Sequence, residues 1–150
     1  MLVLVFLGLA GVAVPMFGSP QAYRLGWAAT QLESDIVFAQ AESFVHPDDR
    51  RLVVFDLEAN HYSIATESDP LSAVTHPISG KPHIVTFGEG DFTHLSGVSI
   101  QSYALAGDDR LGFGAYGQLD QDSDATVVLA AGQATITVTV RSSTGGVSSR

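Results

Sequence analysis

The sequence predicts an α+β protein: one long N-terminal helix packed on an antiparallel β-sheet head. Three observations point there. The first 17 residues are almost wholly apolar. The next stretch repeats small and apolar residues at helical spacing. Everything after His46 breaks into short strand-like runs separated by turn residues.

The apolar start, MLVLVFLGLAGVAVPMF over 1–17, forms the first unit. All charged residues of the chain lie at or after Arg24. As a helix the 17 residues would extend roughly 26 Å, just short of a hydrocarbon core of about 30 Å. The uncharged run continues to Tyr23, which leaves room for a tilted or slightly longer span. Three readings compete. A cleaved secretory signal would use Gly11-Val12-Ala13 as its small-residue site, but nothing basic precedes the apolar run. A buried core helix conflicts with an apolar surface on every side. A membrane helix is favoured, because Pro15 is tolerated where neighbouring helices re-satisfy the freed carbonyl. Leu2, Val5, Leu9, Val12 and Pro15 are the expected residues of membrane and helix packing.

Residues 18–46 form the second unit, an amphipathic helix. Ser19 is placed to cap it and Pro20 to occupy its first position. Leu25, Ala29, Leu32, Ile36, Ala39 and Ser43 form one apolar or small face. Leu25, Leu32 and Ile36 are expected to dock that face on the sheet. Arg24, Gln31, Glu33, Asp35, Gln40 and Glu42 are expected mostly on other faces. His46-Pro47-Asp48-Asp49 ends the helix. Trp27, the single tryptophan, is expected to be a packing or interface residue.

Residues 47–150 form the third unit. Arg51–Leu57 is strand-like, with Val53, Phe55 and Leu57 on one face, and His61–Thr66 returns as its partner. Residues 67–82 carry three prolines and are expected as a loop. Short strands are expected at His83–Phe87, Val98–Leu105, Leu111–Phe113 and Thr126–Ala131. The clearest signal is ATITVTVR, Ala134–Arg141, which alternates apolar with threonine. It is either an ordinary paired strand or a sheet edge able to accept a partner strand. The Ser/Gly tail behind it is expected as a turn or a frayed end. One antiparallel sheet of six to eight strands results.

Composition narrows the function. The chain has 150 residues, 7 basic and 16 acidic side chains, a net charge of −9 and no cysteine. Mean hydropathy is nevertheless +0.22. Without cysteine there is no disulfide framework, thiolate metal site or cysteine nucleophile. The acidic balance and a single lysine, Lys81, argue against nucleic acid as a partner. Asp120, Asp122 and Asp124 alternate as calcium-loop ligands do, but Ala125 and Ala131 replace the glycine and glutamate of that loop. They form a weak calcium candidate against a solvated acidic turn, so no metal or other cofactor is favoured. His46, His61, His76, His83 and His94 are scattered and expected as solvated surface residues. No Gly-x-Ser-x-Gly elbow or phosphate loop is present, so no catalytic residue is named and no enzyme is expected.

Five segments in order carry a family resemblance. They are LVLVFLGLAGVAVP, LESDIVFAQAES from Leu32 to Ser43, RLVVFDLEANHYSIA, LGFGAYGQLD from Leu111 to Asp120, and VTVRSSTGGV. Together they resemble the type IV pilin-like proteins, and within them the minor pseudopilins of the GspH/FimT type. The resemblance covers nearly the whole chain. It implies a pilin-like fold and a structural subunit of a type II secretion or type IV pilus-like assembly. It implies a single-pass anchor in the bacterial inner membrane and a head in the periplasm. Its implied partners are other pseudopilins, the inner membrane and secreted protein cargo. Some FimT-like relatives act in DNA-uptake pili, a branch that the acidic balance counts against.

Two departures stand out. The family's basic leader, peptidase site and Gly-Phe-Thr-Leu-Ile-Glu motif are absent from the sequence as written. Aligned on Pro15, Met1 falls about a third of the way into the family's apolar helix, so a truncated or misassigned start, or a lost leader, is expected. Gly146 stands where many relatives carry Arg. The rival to the whole reading is a secreted β-domain binding module with a cleaved signal, calcium-assisted through the three aspartates.

Overall fold

A computed structural model describes residues 18–150. Leu2, Val5, Leu9, Val12 and Pro15, and the expected membrane segment 1–17, lie outside the described residues. Among the described residues no helix is long and apolar enough to cross a membrane.

Helix α1 spans Pro20–Val45. Ser19 caps it, its side-chain oxygen accepting from the Ala22 N–H at 3.2 Å, and Pro20 opens the first turn. The His46 N–H donates to the Glu42 carbonyl at 2.9 Å and closes the other end before Pro47. The strands are β1 (Arg51–Asp56), β2 (His61–Thr66), β3 (Ile84–Thr86), β4 (Val98–Ala104), β5 (Arg110–Gly112), β6 (Ala125–Ala131), β7 (Ala134–Val140) and β8 (Val147–Ser149). A short kinked 3-10 segment, Gly90–Leu95, precedes β4.

The expected single sheet is two. One runs β3-β2-β1-β5 and the other β4-β6-β7-β8, each antiparallel throughout. One side chain ties the two sheets together. Asn60, in the turn between β1 and β2, places its amide against β4. Its Nδ2 donates to the Val98 carbonyl at 3.0 Å and its Oδ1 accepts from the Ile100 N–H at 2.9 Å. Asn60 thus satisfies β4 backbone groups that a neighbouring strand would otherwise take. Its backbone is left-handed, with φ of 52°.

One further expectation changes, and two that were open between alternatives are decided. Leu57 leaves the β1 face and is 41% exposed. The Asp56 carboxylate accepts from the Ala59 N–H at 2.9 Å and turns the chain one residue early. The ATITVTVR strand is not an edge, because β7 pairs with β6 on one side and β8 on the other. The tail is not frayed. It turns at Gly145, φ 68°, and returns as β8, and Arg150 and Thr137 exchange both backbone bonds at 2.8 and 3.0 Å.

Helix α1 lies against strands of both sheets. Leu25, Leu32 and Ile36 are buried there, with Ala28, Ala29 and Ala39 letting the helix approach closely. Val53, Phe55, Ile64, Leu111, Val127 and Val138 supply the sheet side of the same core.

Candidate functional site

The helix has two opposite faces, and the contrast between them is the feature most open to a functional reading. At about 100° per residue, the buried positions Leu25, Leu32, Ile36, Ala39 and Ser43 cluster on one side. Tyr23, Trp27, Thr30, Ser34, Val37, Ala41 and Phe44 follow steps of four and three residues on the other, and all seven are exposed. Tyr23 is 57% exposed, Trp27 66%, Val37 52% and Phe44 54%. No charged residue lies in the stripe, although the chain carries 16 acidic side chains. Glu33 flanks it on one side, Arg24 and Glu42 on the other. A stripe of apolar and small residues in a strongly acidic protein fits a surface that another helix covers.

Beneath the helix sits a polar lock. Asp35, expected away from the core, is 5% exposed. It lies on the border of the docked face, within one turn of Leu32 and Ala39. Tyr62 of β2 donates to its Oδ2 at 2.7 Å, Gln31 Nε2 donates to the same oxygen at 3.0 Å, and His83 Nε2 donates to Oδ1 at 2.9 Å. Burial alone raises the Asp35 pKa, but the hydrogen bonds from His83, Gln31 and Tyr62 outweigh it and the carboxyl is held below its usual range. Burial and the neighbouring carboxylate push the Tyr62 phenol well above its usual range, so it stays a donor.

His83 is not a surface residue as expected; it is 4% exposed. The His76 and Phe38 rings cover it, with centroids 4.6 and 5.4 Å away. An open cavity of about 510 Å³ adjoins it, lined by Gln31, His76, Lys81, Thr86 and Asp91 among others. His46, His61, His76 and His94 are exposed or half-buried.

A second tie fastens the far end of the helix. Gln40 Nε2 donates to the Gly117 carbonyl at 2.7 Å and the Thr144 carbonyl at 3.2 Å. Gly117 and Gly145 have φ of 81° and 68°, and a methyl group on Gly145 would run into the Gly117 carbonyl. Three of the five sequence segments singled out above therefore meet at one point.

Asp120, Asp122 and Asp124 do not assemble into a cage. Asp124 Oδ1 accepts from the Ser142 N–H at 2.8 Å and closes the neighbouring turn. Among the described residues no group of three His, Cys, Asp or Glu is placed to hold a metal ion.

No family model matches the chain, and no curated protein does. Solved structures do. The minor pseudopilin EpsH of the Vibrio cholerae type 2 secretion system superposes with a TM-score of 0.56 at 11% identity, over 85% of this chain and 96% of that one. The type IV minor pilin FimU of Pseudomonas aeruginosa superposes in two crystal forms. Their TM-scores are 0.56 and 0.53, at 13% and 14% identity. The first covers 86% of this chain and 90% of FimU, the second 84% and 92%. The chain has a pilin-like fold. At these identities the likeness is one of architecture: a helix laid on antiparallel sheets. The two ties fasten the helix to the head on the side away from its charge-free stripe.

Proposed function

We propose that the chain is a non-enzymatic structural subunit, a minor pseudopilin of the GspH/FimT type, in a type II secretion or type IV pilus-like assembly. The apolar segment 1–17 anchors it as a single pass in the bacterial inner membrane, with the head in the periplasm. The subunit acts by packing with other pilin-like subunits and presents the head to its neighbours and to secreted protein cargo. Nucleic acid is not among its partners. One observation carries this reading: on a pilin-like fold, the helix buries one side and leaves an uncharged stripe exposed on the other. Thr30, Ser34, Val37, Ala41 and Phe44 are its subunit-packing residues.

Val37→Asp places a charge in the middle of that stripe without touching the core. Its folding stability stays within about 0.5 kcal/mol of wild type, as for other surface substitutions. In the native bacterium the variant loses secretion or piliation. A variant that secretes and piliates like wild type contradicts the reading.

A further inference from the structure

The lower end of the helix differs from the rest of the stripe. Tyr23 and Trp27 stand one turn apart, both exposed, above a shallow groove of about 510 Å³. Gly18, Pro20, Arg24, His94 and Leu95 complete its lining. No carboxylate lines this groove, and Arg24 is its one formally charged residue. In a chain of net charge −9 that is a local reversal. Arg24 is also held in place, its Nη1 donating to the Ser96 carbonyl at 3.1 Å. Trp27 meets the His94 ring edge-on, centroids 6.5 Å apart.

Position along the chain gives this corner its meaning. The sequence carries no charge from Met1 to Tyr23, and Arg24 is the first charged residue. As a helix, residues 1–17 would cover about 26 Å, and Gly18 and Ser19, where the cap of α1 interrupts any continuous helix, add up to about 7 Å of extended chain before Pro20, together close to a hydrocarbon core of about 30 Å. Trp27 lies about 6 Å beyond Tyr23 along the helix axis, and a headgroup layer is roughly 5–8 Å deep. Tyrosine and tryptophan prefer that layer, where one end of the ring is apolar and the other wet. Arginine there keeps its stem in the apolar border and its guanidinium beside lipid phosphates.

We propose that Tyr23, Arg24 and Trp27 seat this corner of the head in the phospholipid headgroup layer. The proposal rests on the membrane-anchored reading above. It assigns the two ends of the exposed helix side to different neighbours: lipid below at Tyr23 and Trp27, protein above from Thr30 to Phe44.

Trp27 is the only tryptophan, so its fluorescence reports this corner alone. The full chain is reconstituted into vesicles of phosphatidylcholine with a quarter phosphatidylglycerol and floated on a density gradient. Quenching is then compared among headgroup-labelled lipid, lipid brominated deep in the acyl chain, and aqueous acrylamide. The expected result is co-flotation, with headgroup or shallow labels quenching at least about twofold more than deep ones, and acrylamide quenching falling by about half on reconstitution. If the chain floats but lipid labels leave Trp27 untouched, the anchor stands and the headgroup seat is wrong, leaving a protein neighbour as the cover of this groove. Stronger quenching by the deep label also overturns the seat. A chain that fails to float overturns the anchored reading itself.

Discussion

Tyr62 donates its hydroxyl proton to Asp35 across 2.7 Å, and this bond joins the centre of helix α1 to strand β2. Asp35 and His83 sit 27 and 48 residues from their partners Tyr62 and Asp35 in sequence, yet all three share one buried site. A buried carboxylate survives there because every approach to it is a donor.

Removing that carboxylate strands the donors. Asp35→Ala leaves the Tyr62 hydroxyl and His83 Nε2–H buried without their acceptor and is expected to cost about 2–4 kcal/mol in urea denaturation. The pH dependence follows from the lowered pKa of Asp35. The carboxyl binds its proton more weakly folded than unfolded. Its contribution is therefore complete above the unfolded value of about 3.9 and is lost as pH falls through the lower, folded value. Wild-type stability measured from pH 7 downward should decline more steeply below about pH 4 than that of Asp35→Asn, which has no proton to gain at this site.

Asn60 ties the turn between β1 and β2 to β4 of the other sheet. Asn60→Gly keeps the left-handed backbone but loses both bonds to β4, at an expected cost of about 1–2 kcal/mol. Asn60→Ala loses the bonds and strains the backbone as well, and is expected to cost about 1 kcal/mol more than the glycine variant. Thermal or urea melts of the pair separate the two effects.

The Gln40 tie makes a paired prediction. Gln40→Ala removes two hydrogen bonds to loop carbonyls and should cost about 1–2 kcal/mol. Gly145→Ala combines a positive φ with a clash against the Gly117 carbonyl, and should cost at least about 2 kcal/mol. Hydrogen exchange in the variants should rise first in β8, whose approach to β7 depends on that turn.

Local chemistry was legible in the sequence; long-range polar contacts were not. Ser19-Pro20 and His46-Pro47 announce both helix ends, and the structure starts and stops the helix there. The alternation in ATITVTVR marks β7 to within one residue, since the strand ends at Val140. Periodicity missed Asp35, because it sorts residues by polarity and a charge on the docked border counts against burial. It missed His83 for the same reason: the acceptor that makes its burial tolerable lies on another element. A signal did exist. Asp35 is flanked by Leu32, Ile36 and Ala39 on the helix, and Tyr62 alternates with Ile64 along β2, so both sat at positions whose neighbours face the core. The break into two sheets was invisible, because alternation along a strand tells which face is buried and not which strands pair.

Cysteine crosslinking tests the central claim most directly, since the natural sequence contains no cysteine. Ser34→Cys and Val37→Cys lie on the exposed side of the helix, and Ser72→Cys lies on an exposed loop of the head. In membranes of the native bacterium, mild oxidation or a short bifunctional reagent should join the two helix variants to other pilin-like subunits bearing matched cysteines, identifiable by mass spectrometry, while Ser72→Cys stays uncrosslinked. Helix variants that label freely with a water-soluble maleimide and crosslink no better than Ser72→Cys would contradict a packing role for this face.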